Sequence, residues 1–337
     1  ATVSSDSEAL ELGRSVFDLK LRAAMCVPLA AGRENDQIGA PPIGVLYVDS
    51  RAATRRFSQS DLSFFAALAQ HISISLENAR LHLDSLEKIK LEQSLELASA
   101  IQRDLMPELP ESSCGFELGA FFRPAERAGG DFYDVVPLRN GRLAFVVGDV
   151  SGHGIGPALI TASAQAGLRS YLRVVPDLGQ VVTLLNQDLS ERIDDGRFLT
   201  LLLGILLEDG SLEIVNGGHA DPMIWRAASG EVESLQGGGP ALGMIDDYDY
   251  EVTGSSKLEP GDVLVVFSDG FSEARDPQDH GRMLGEQGVA DELSAAASEG
   301  LGAREITDRL VKVALDICRD LREDDMTLIV LRYPASS

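Results

Sequence analysis

The sequence lacks any hydrophobic run long enough to cross a membrane. Its longest apolar stretch extends from Leu199 to Leu207 and is interrupted by Gly204, whereas a membrane-spanning helix takes about 20 apolar residues. No basic segment followed by an apolar one opens the chain, so we expect no secretory signal. The first residue is Ala1 and not Met, so we expect a processed form or a part of something longer.

Cysteine and positive charge are both scarce. The three cysteines, Cys26, Cys114 and Cys318, are scattered and odd in number, which argues against a disulfide framework and favours a reducing, cytoplasmic location. The 29 basic residues are outnumbered by 53 acidic ones, which gives a net charge of −24. Such a surface repels nucleic acid and anionic membranes, so we expect neither as a partner. Solubility alone explains most of the excess acid.

Two loops that commonly handle phosphate are also missing. The sequence contains no Gly-Lys pair, which excludes a Walker A loop, and no cysteine with an arginine six residues later, which excludes the usual cysteine-phosphatase loop. The glycines at 152, 154 and 156 could pass for a dinucleotide loop. Asp149 would then place a negative charge where a pyrophosphate needs neutral or positive surroundings, so we reject that interpretation.

Residues 58–105 contain neither proline nor glycine, which predicts one long helix or two nearly continuous ones. Ser58-Gln-Ser-Asp61 is typical of a capped helix start, and Pro107 and Pro110 end the pattern. A single helix of this length spans about 70 Å, too long to pack within a small domain.

The apolar side chains of this helix repeat with 4-3-4-3 spacing, which predicts the seam of a coiled coil. They are Ile72, Leu76, Ala79, Leu83 and Leu86. The spacing resumes at Leu91 after a gap of five residues, so the stripe changes phase near Ile89. We expect a parallel homodimer that relays a signal; the alternative is an amphipathic helix that packs on its own domain.

After Pro110 short apolar strands alternate with helices. Asn140-Gly141 and Asp209-Gly210 are hairpin turn signals. Hairpins around helix pairs predict an α/β (α+β) fold of antiparallel sheets covered by helices, rather than a doubly wound parallel sheet. Strands are predicted over residues 116–122, 132–138, 143–150, 198–207, 212–216, 223–227, 263–268 and 327–333, and helices over residues 155–174, 178–193, 286–297 and 303–321.

Four aspartates share one context, at or beside the end of a predicted strand and next to small residues. They are Asp131, Asp149, Asp269 and Asp324. Carboxylates held together without basic partners repel one another unless a cation lies between them. Oxygen ligands without a His/Cys cluster select Mg²⁺ or Mn²⁺ over Zn²⁺. Two such ions with a bridging carboxylate could activate water for an in-line phosphoryl displacement.

Each of these signals is weak alone. A lone Asp-Gly is most often a turn, and Asp324-Asp325 could be a solvated pair before a strand. The order of six motifs is more informative. They are Ala-Gly-Gly-Asp131-Phe-Tyr-Asp134, Gly-Asp149-Val-Ser-Gly-His153-Gly, Asn216-Gly-Gly-His219-Ala-Asp-Pro, Gly238-Gly-Pro-Ala-Leu-Gly243, Gly261-Asp-Val-Leu-Val-Val-Phe-Ser-Asp269-Gly-Phe-Ser-Glu273-Ala-Arg275 and Asp324-Asp325-Met-Thr327. Together they resemble the protein phosphatase 2C superfamily, above all its bacterial branch typified by stage II sporulation protein E.

The resemblance implies an α-β-β-α sandwich of two antiparallel sheets with flanking helices, and two Mn²⁺ or Mg²⁺ ions at one edge. It implies that Asp149 bridges the two ions and that Asp269 and Asp324 complete one site. Asp131 and the backbone carbonyl of Val150 would complete the other. A water activated by both ions would attack phosphorus directly, without a phosphoenzyme. In related systems the substrate is a small anti-sigma-factor antagonist that carries phosphoserine.

Two histidines need separate interpretations. In the eukaryotic pattern a general-acid histidine lies two residues after the bridging aspartate, whereas His153 lies four residues after Asp149. His153 is therefore either a general acid or a loop residue that supports the helix start. His219 is remote from the four acidic motifs in sequence, and we expect it to fix a loop rather than to bind metal.

Three N-terminal stretches resemble the C-terminal half of a GAF sensor domain. They begin with Met25-Cys-Val-Pro-Leu, with Ile43-Gly-Val-Leu-Tyr-Val-Asp-Ser and with Phe57-Ser-Gln-Ser-Asp-Leu. We therefore expect a partial GAF-like sensor domain over residues 1–78, a helical coiled-coil linker over residues 79–111 and a phosphatase domain over residues 112–337.

The leading hypothesis is a metal-dependent protein serine/threonine phosphatase that acts on a partner phosphoprotein and is controlled by its sensor domain. One alternative is a catalytically weak or inactive phosphatase fold that serves as a binding module. The other is a dimerisation protein in which the long helix is the functional part.

Overall fold

The computed structural model describes residues 2–4, 23–30, 42–50, 57–125, 129–192 and 196–335. The chain divides into two compact units, Ala1–Glu92 and Gln93–Ser337. Two sequence expectations lie outside the described residues: the alanine that opens the first motif and the helix end at residue 193. Within the described part, no helix combines the length and apolar character needed to cross a lipid bilayer.

The N-terminal unit contains a three-stranded antiparallel sheet of β1 (Thr2–Ser4), β2 (Ala23–Leu29) and β3 (Gly44–Ser50), in that order. Alternate residues of β2 are buried, as the period of two along a strand requires. They pack against the first turns of helix α1 (Gln59–Leu105), where Leu62 and Ala69 are buried.

Helix α1 is continuous over 47 residues, as the absence of proline and glycine predicted. Its start is capped reciprocally, because Asp61 N–H donates to Ser58 Oγ (3.2 Å) while Ser58 N–H donates to Asp61 Oδ2 (2.8 Å). The apolar stripe predicted as a seam stays exposed: Leu76 is 49%, Leu83 61% and Leu86 42% accessible.

The C-terminal unit includes the last turns of α1. Its strands are β4 (Ser112–Ser113), β5 (Phe116–Arg123), β6 (Asp131–Pro137), β7 (Leu143–Val150), β8 (Leu199–Leu206), β9 (Ser211–Gly217), β10 (Met223–Trp225), β11 (Val232–Ser234), β12 (Gly254–Lys257), β13 (Val263–Phe267), β14 (Arg275–Asp276), β15 (Asp279–Met283) and β16 (Met326–Arg332). Its helices are α2 (Ile155–Val174), α3 (Leu178–Ser190), α4 (Asp269–Ser272), α5 (Gly285–Ser298) and α6 (Ala303–Cys318).

These elements form the four-layered sandwich that the resemblance implied. One sheet has the order β11-β10-β13-β16-β5-β4 and the other β12-β9-β8-β7-β6, and the described pairs are antiparallel. One core lies between the sheets, a second packs α2 and α3 on the five-stranded sheet, and a third packs α5 and α6 on the six-stranded sheet.

Strand β7 is buried on both faces of the five-stranded sheet. Phe145 and Val147 point into the core between the sheets, whereas Ala144 and Val146 point toward α2 and α3. A strand that is buried on both faces is apolar along its whole length. Residues 143–147 of β7 are all apolar, as this arrangement requires.

The β6–β7 hairpin turns where Asn140-Gly141 predicted it, with positive φ at both residues (62° and 68°). The last helix was predicted to reach residue 321 but ends at Cys318, because Arg319 and Asp320 adopt left-handed backbone angles (φ 50° and 63°). The short strands β4, β11, β12, β14 and β15 were not predicted.

Candidate metal centre

The β6–β7 hairpin holds two of the predicted aspartates side by side. Asp131 opens β6 and pairs in register with Asp149 near the end of β7. The glycine before Asp131 is required by packing, because a Cβ on Gly130 would lie 2.1 Å from the carbonyl oxygen of Val150. Asp149 Oδ1 lies 2.8 Å from the same Cβ position, so the Val150 carbonyl and the Asp149 carboxylate both approach Gly130. We call Asp131, Asp149 and the Val150 carbonyl the hairpin half of the site.

The other two aspartates come from the six-stranded sheet. Asp269 opens α4 one residue after β13 ends, and Asp324 lies just before β16, which pairs with β13. The two strands are tied at this end because Ser268 N–H donates to the Thr327 carbonyl (3.0 Å) and Thr327 N–H donates to Ser268 Oγ (3.0 Å). We call Asp269 and Asp324 the loop half of the site.

The two halves meet at one edge of the sandwich. Thr327 Oγ1 donates a 2.6 Å hydrogen bond to Asp131 Oδ2, which joins the two sheets through the first aspartate. A cavity of about 170 Å³ at this edge is lined by residues of both sheets. Its lining residues are Ala125, Asp149, Gly152, His153, Glu323, Asp324 and Asp325.

Among the described residues, the charged neighbours that shift the pKa values of Asp131, Asp149 and Asp269 are all carboxylates. Burial, followed by the neighbouring charges of Asp269 and Asp324, raises the pKa of Asp149 to about 7. Burial also raises the pKa of Asp131 well above its usual range, with Asp149 as the next cause. The pKa of Asp269 is raised by loss of hydration and then by Asp324.

This electrostatic pattern fits divalent cations. The donors are carboxylate and carbonyl oxygens, the set that Mg²⁺ and Mn²⁺ prefer, and a cation would relieve the repulsion that raises these pKa values. Among the described residues, no three His, Cys, Asp or Glu side chains converge as a formed metal cluster. Of the four predicted aspartates, Asp149 and Asp324 border the cavity directly.

Asp325, adjacent to the predicted Asp324, was not assigned a role from the sequence. Its carboxylate accepts hydrogen bonds from Ala125 N–H (2.8 Å) and Asp131 N–H (3.3 Å). A Cβ on Gly129 would lie only 1.7 Å from Asp325 Oδ2. Asp325 thus fixes the backbone that carries Asp131, and the glycine of the first motif is needed to let it approach.

Gln102, on the last turns of α1, is the other residue that the sequence did not reveal. Its side chain is buried, donates to the carbonyls of Gly129 (3.1 Å) and Asp131 (3.0 Å), and accepts from Gly129 N–H (3.2 Å). Gln165 of α2 donates to the Leu105 carbonyl (3.1 Å). The end of α1 is therefore bonded to the backbone on both sides of Gly130. No sequence signal marks a single glutamine on a helix for this role.

The two histidines occupy different places. His153 lines the cavity beside Asp149, which leaves both of its interpretations open. His219 is buried, its Nδ1 lies 3.0 Å from Thr200 Oγ1, and burial lowers its pKa to about 4. The side chain of Asn216 bonds to the backbone of His219: its Oδ1 accepts from His219 N–H (2.8 Å), and its Nδ2 donates to the His219 carbonyl (3.0 Å). These contacts agree with the expected loop-fixing role.

Solved structures support the fold. The chain superimposes on the SiaA-PP2C domain of Pseudomonas aeruginosa with a TM-score of 0.62 at 24% identity, over 73% of this chain and 98% of that one. At this identity the likeness concerns the fold alone.

Curated relatives include the phosphoserine phosphatase RsbU of Bacillus subtilis, 26% identical over 72% of this chain and 71% of its own length. Protein IcfG of Synechocystis is 27% identical over 74% of this chain but only 42% of its own length. The chain thus spans less than half of one relative and about seven tenths of the other.

Two families match different parts of the chain. Residues 4–76 match the GAF domain, which extends the N-terminal resemblance toward the start of the sequence. Residues 139–334, more than half of the chain, match stage II sporulation protein E and include three of the four predicted aspartates. The chain belongs to the stage II sporulation protein E (SpoIIE) family and carries a GAF domain before its phosphatase domain.

Proposed function

We propose that this chain is a metal-dependent protein serine/threonine phosphatase that hydrolyses phosphoserine or phosphothreonine on a partner protein. The observation that carries the proposal is the meeting of Asp131, Asp149, Asp269 and Asp324 from two sheets at one open edge, where burial and neighbouring carboxylates raise the pKa values of the first three. Such an edge attracts divalent cations and, through them, a phosphate. The phosphoserine phosphatase named among the relatives supports this substrate class.

Two Mn²⁺ or Mg²⁺ ions, when bound, would supply water activation and neutralise charge on the phosphoryl group. Asp149 would be shared by both ions. Asp131 and the Val150 carbonyl would hold one ion, and Asp269 and Asp324 the other. The hydrogen bond from Thr327 and the backbone contacts of Asp325 orient the hairpin half for this task.

The partner we propose is a phosphorylated anti-sigma-factor antagonist, as the family resemblance implies. A free nucleotide is disfavoured because the net charge of −24 opposes small, highly charged anions. We also propose a cytoplasmic location, for which the scattered cysteines are the support.

Metal dependence is the direct test. The whole chain should hydrolyse p-nitrophenyl phosphate and phosphoserine peptides when Mn²⁺ or Mg²⁺ is added, with Mn²⁺ at least as effective. It should lose both activities on exhaustive chelation and regain them when metal is restored. Full activity in the chelated protein, or faster hydrolysis of ATP than of any phosphopeptide, would refute the proposal.

Regulation would pass through α1. We propose a partial GAF-like sensor domain at residues 1–78, a linker at residues 79–111 that forms a parallel homodimer, and the phosphatase domain at residues 112–337. The exposed leucines of α1 provide an apolar stripe for a second copy. The bonds of Gln102 to Gly129 and Asp131 provide the route from the helix to a candidate metal ligand.

The alternative is a weakly active or inactive phosphatase fold that acts by dimerisation. All four aspartates are present, which argues against it. It predicts a dimer with no metal-dependent hydrolysis of p-nitrophenyl phosphate, so the metal experiment separates the two functions.

A further inference from the structure

A second cavity, of about 180 Å³, adjoins the candidate metal centre. It shares Asp324 with the centre, and Gly270, the residue after Asp269, also lines it. A ligand bound across the metal centre could therefore extend into it. Its volume suits one amino-acid side chain and is below the roughly 300 Å³ at which pockets for drug-sized ligands begin.

Arg322 is the residue of this cavity that we expect to bind a ligand. Its side chain is only 16% exposed, yet its Nε and Nη1 atoms are buried without any hydrogen-bond acceptor among the described residues. The closest carboxylate oxygen, on Asp320, is 3.8 Å from Nη1, which is too long for a hydrogen bond. Asp320 instead accepts a 3.0 Å bond from Arg123.

Leaving guanidinium nitrogens buried without a hydrogen-bond acceptor is unfavourable, since their hydration is lost and nothing replaces it. The loop that presents Arg322 is itself under constraint. Arg319 and Asp320 both have positive φ (50° and 63°), a conformation uncommon for residues other than glycine. Such strain persists where the surrounding structure requires it, often at ligand sites.

The other charges of the cavity are already accounted for. Glu273 is paired with Arg275 (3.2 Å), and Glu323 is exposed. Arg322 is therefore a basic group of the wall whose Nε and Nη1 have no hydrogen-bond acceptor among the described residues. An acceptor with negative charge satisfies a guanidinium better than a neutral one, because charge-assisted hydrogen bonds are the stronger kind.

We propose that the Arg322 cavity is a substrate subsite that receives the carboxylate of a Glu or Asp within about three residues of the phosphorylated residue. The proposal rests on the phosphatase function proposed above and adds a sequence preference to it. The acidic surface would repel acidic peptides in general, so this preference would be local to one position.

The test is a series of phosphoserine peptides in which one Glu is moved from the third residue before the phosphoserine to the third residue after it. Each is compared with its Gln counterpart by kcat/KM with Mn²⁺ and the whole chain. At one position the Glu peptide should be favoured about tenfold, equivalent to about 1.4 kcal/mol. In Arg322→Gln the ratio at that position should fall to about one.

Arg304→Gln, which removes the same charge from an exposed site away from the cavity, should keep the tenfold ratio. Arg322→Lys, which keeps the charge, should give an intermediate ratio and serves if Arg322→Gln does not fold. A wild-type ratio near one at every position, or an unchanged ratio in Arg322→Gln, overturns the subsite while leaving the phosphatase intact. Failure of the wild type to hydrolyse any of the peptides with Mn²⁺ would instead overturn the proposed function.

Discussion

The two halves of the candidate metal centre are built differently. The hairpin half is held by strand pairing, by Thr327, by Asp325 and by Gln102, and Asp131 is 1% exposed. The loop half consists of exposed aspartates at chain turns. A preformed half combined with an accessible one suggests that the hairpin sets the position of the metals, while the loops admit substrate. It also means that control of the site acts most easily through the few bonds that reach the hairpin.

The largest effect should come from the residue proposed to serve both ions. Asp149→Asn should lower kcat by more than about 100-fold, because one substitution weakens both sites. Asp316→Asn, on the exposed face of α6, makes the same chemical change outside the centre and should retain normal turnover. Steady-state hydrolysis of p-nitrophenyl phosphate with Mn²⁺ measures both. Near-normal turnover of Asp149→Asn would show that the hairpin half is wrongly assigned.

The next effect concerns the helix that reaches the hairpin half. Replacing Leu83 and Leu86 together with Lys should dissociate the proposed dimer, because it buries two charges in an apolar seam. Light scattering should give a dimer for the wild type and a monomer for the variant, and turnover should change. Asn78→Lys with Ser85→Lys adds the same charge on exposed positions off the seam and should stay dimeric. A monomeric wild type, or unchanged turnover in the dissociated variant, rules out the relay.

The next prediction concerns the hydrogen bonds from Gln102 of α1 to the carbonyls of Gly129 and Asp131. Gln102→Ala would leave the buried backbone groups of Gly129 and Asp131 without their partners, and loss of a supporting contact to a metal ligand typically costs about 10- to 100-fold in metal affinity. The Mn²⁺ concentration for half-maximal activity should rise accordingly. Gln93→Ala, exposed on the same helix, should leave it unchanged. If the two variants behave alike, α1 does not act through this bond.

The smallest expected effect is on the free energy of unfolding, and it comes from His219. Thr200 pairs in register with Asp149 and contacts His219. The pKa of His219 is about 4 in the fold against about 6.5 in the unfolded chain. As the pH falls from 6.5 toward 4, the unfolded chain binds a proton that the fold excludes, so the fold loses stability.

Between pH 7 and pH 5 this histidine should cost the wild type about 1 to 2 kcal/mol of unfolding free energy. Urea unfolding of wild type and His219→Gln at both pH values measures the difference. The variant should lose less stability on acidification than the wild type. Equal losses would mean that His219 is not held neutral in the fold.

Much of the fold could be predicted from the sequence because local sequence patterns specify many of its elements. Two residues with positive φ at Asn140-Gly141, a proline-free run in α1 and strands apolar on both faces each specify their own structure. The short strands β11 and β12 carry polar residues such as Glu233 and Ser255, and pairing with neighbours decides them. No local pattern marks such strands.

The site was only partly readable, for a related reason. The four aspartates lie at or beside strand ends, and Asp131, Asp149 and Asp269 each adjoin a glycine, a pattern visible in the sequence. The contacts of Asp325, Gln102 and Arg322 depend on segments that meet only in the folded chain; Gln102 and Asp131, for example, are 29 residues apart. Long-range contacts of single polar side chains have no periodicity, so no sequence pattern predicts them.

The crowding of carboxylates at one edge carries an evolutionary consequence. A carboxyl whose pKa lies near 7 in the fold is held as an anion at the expense of folding free energy whenever no cation is present. Replacing Asp149 with Asn should therefore raise the melting temperature of the metal-free protein even as it abolishes turnover. Selection of variants for heat resistance alone, in chelator, would accumulate substitutions at these very positions, so survival screens for this protein need to demand catalysis as well.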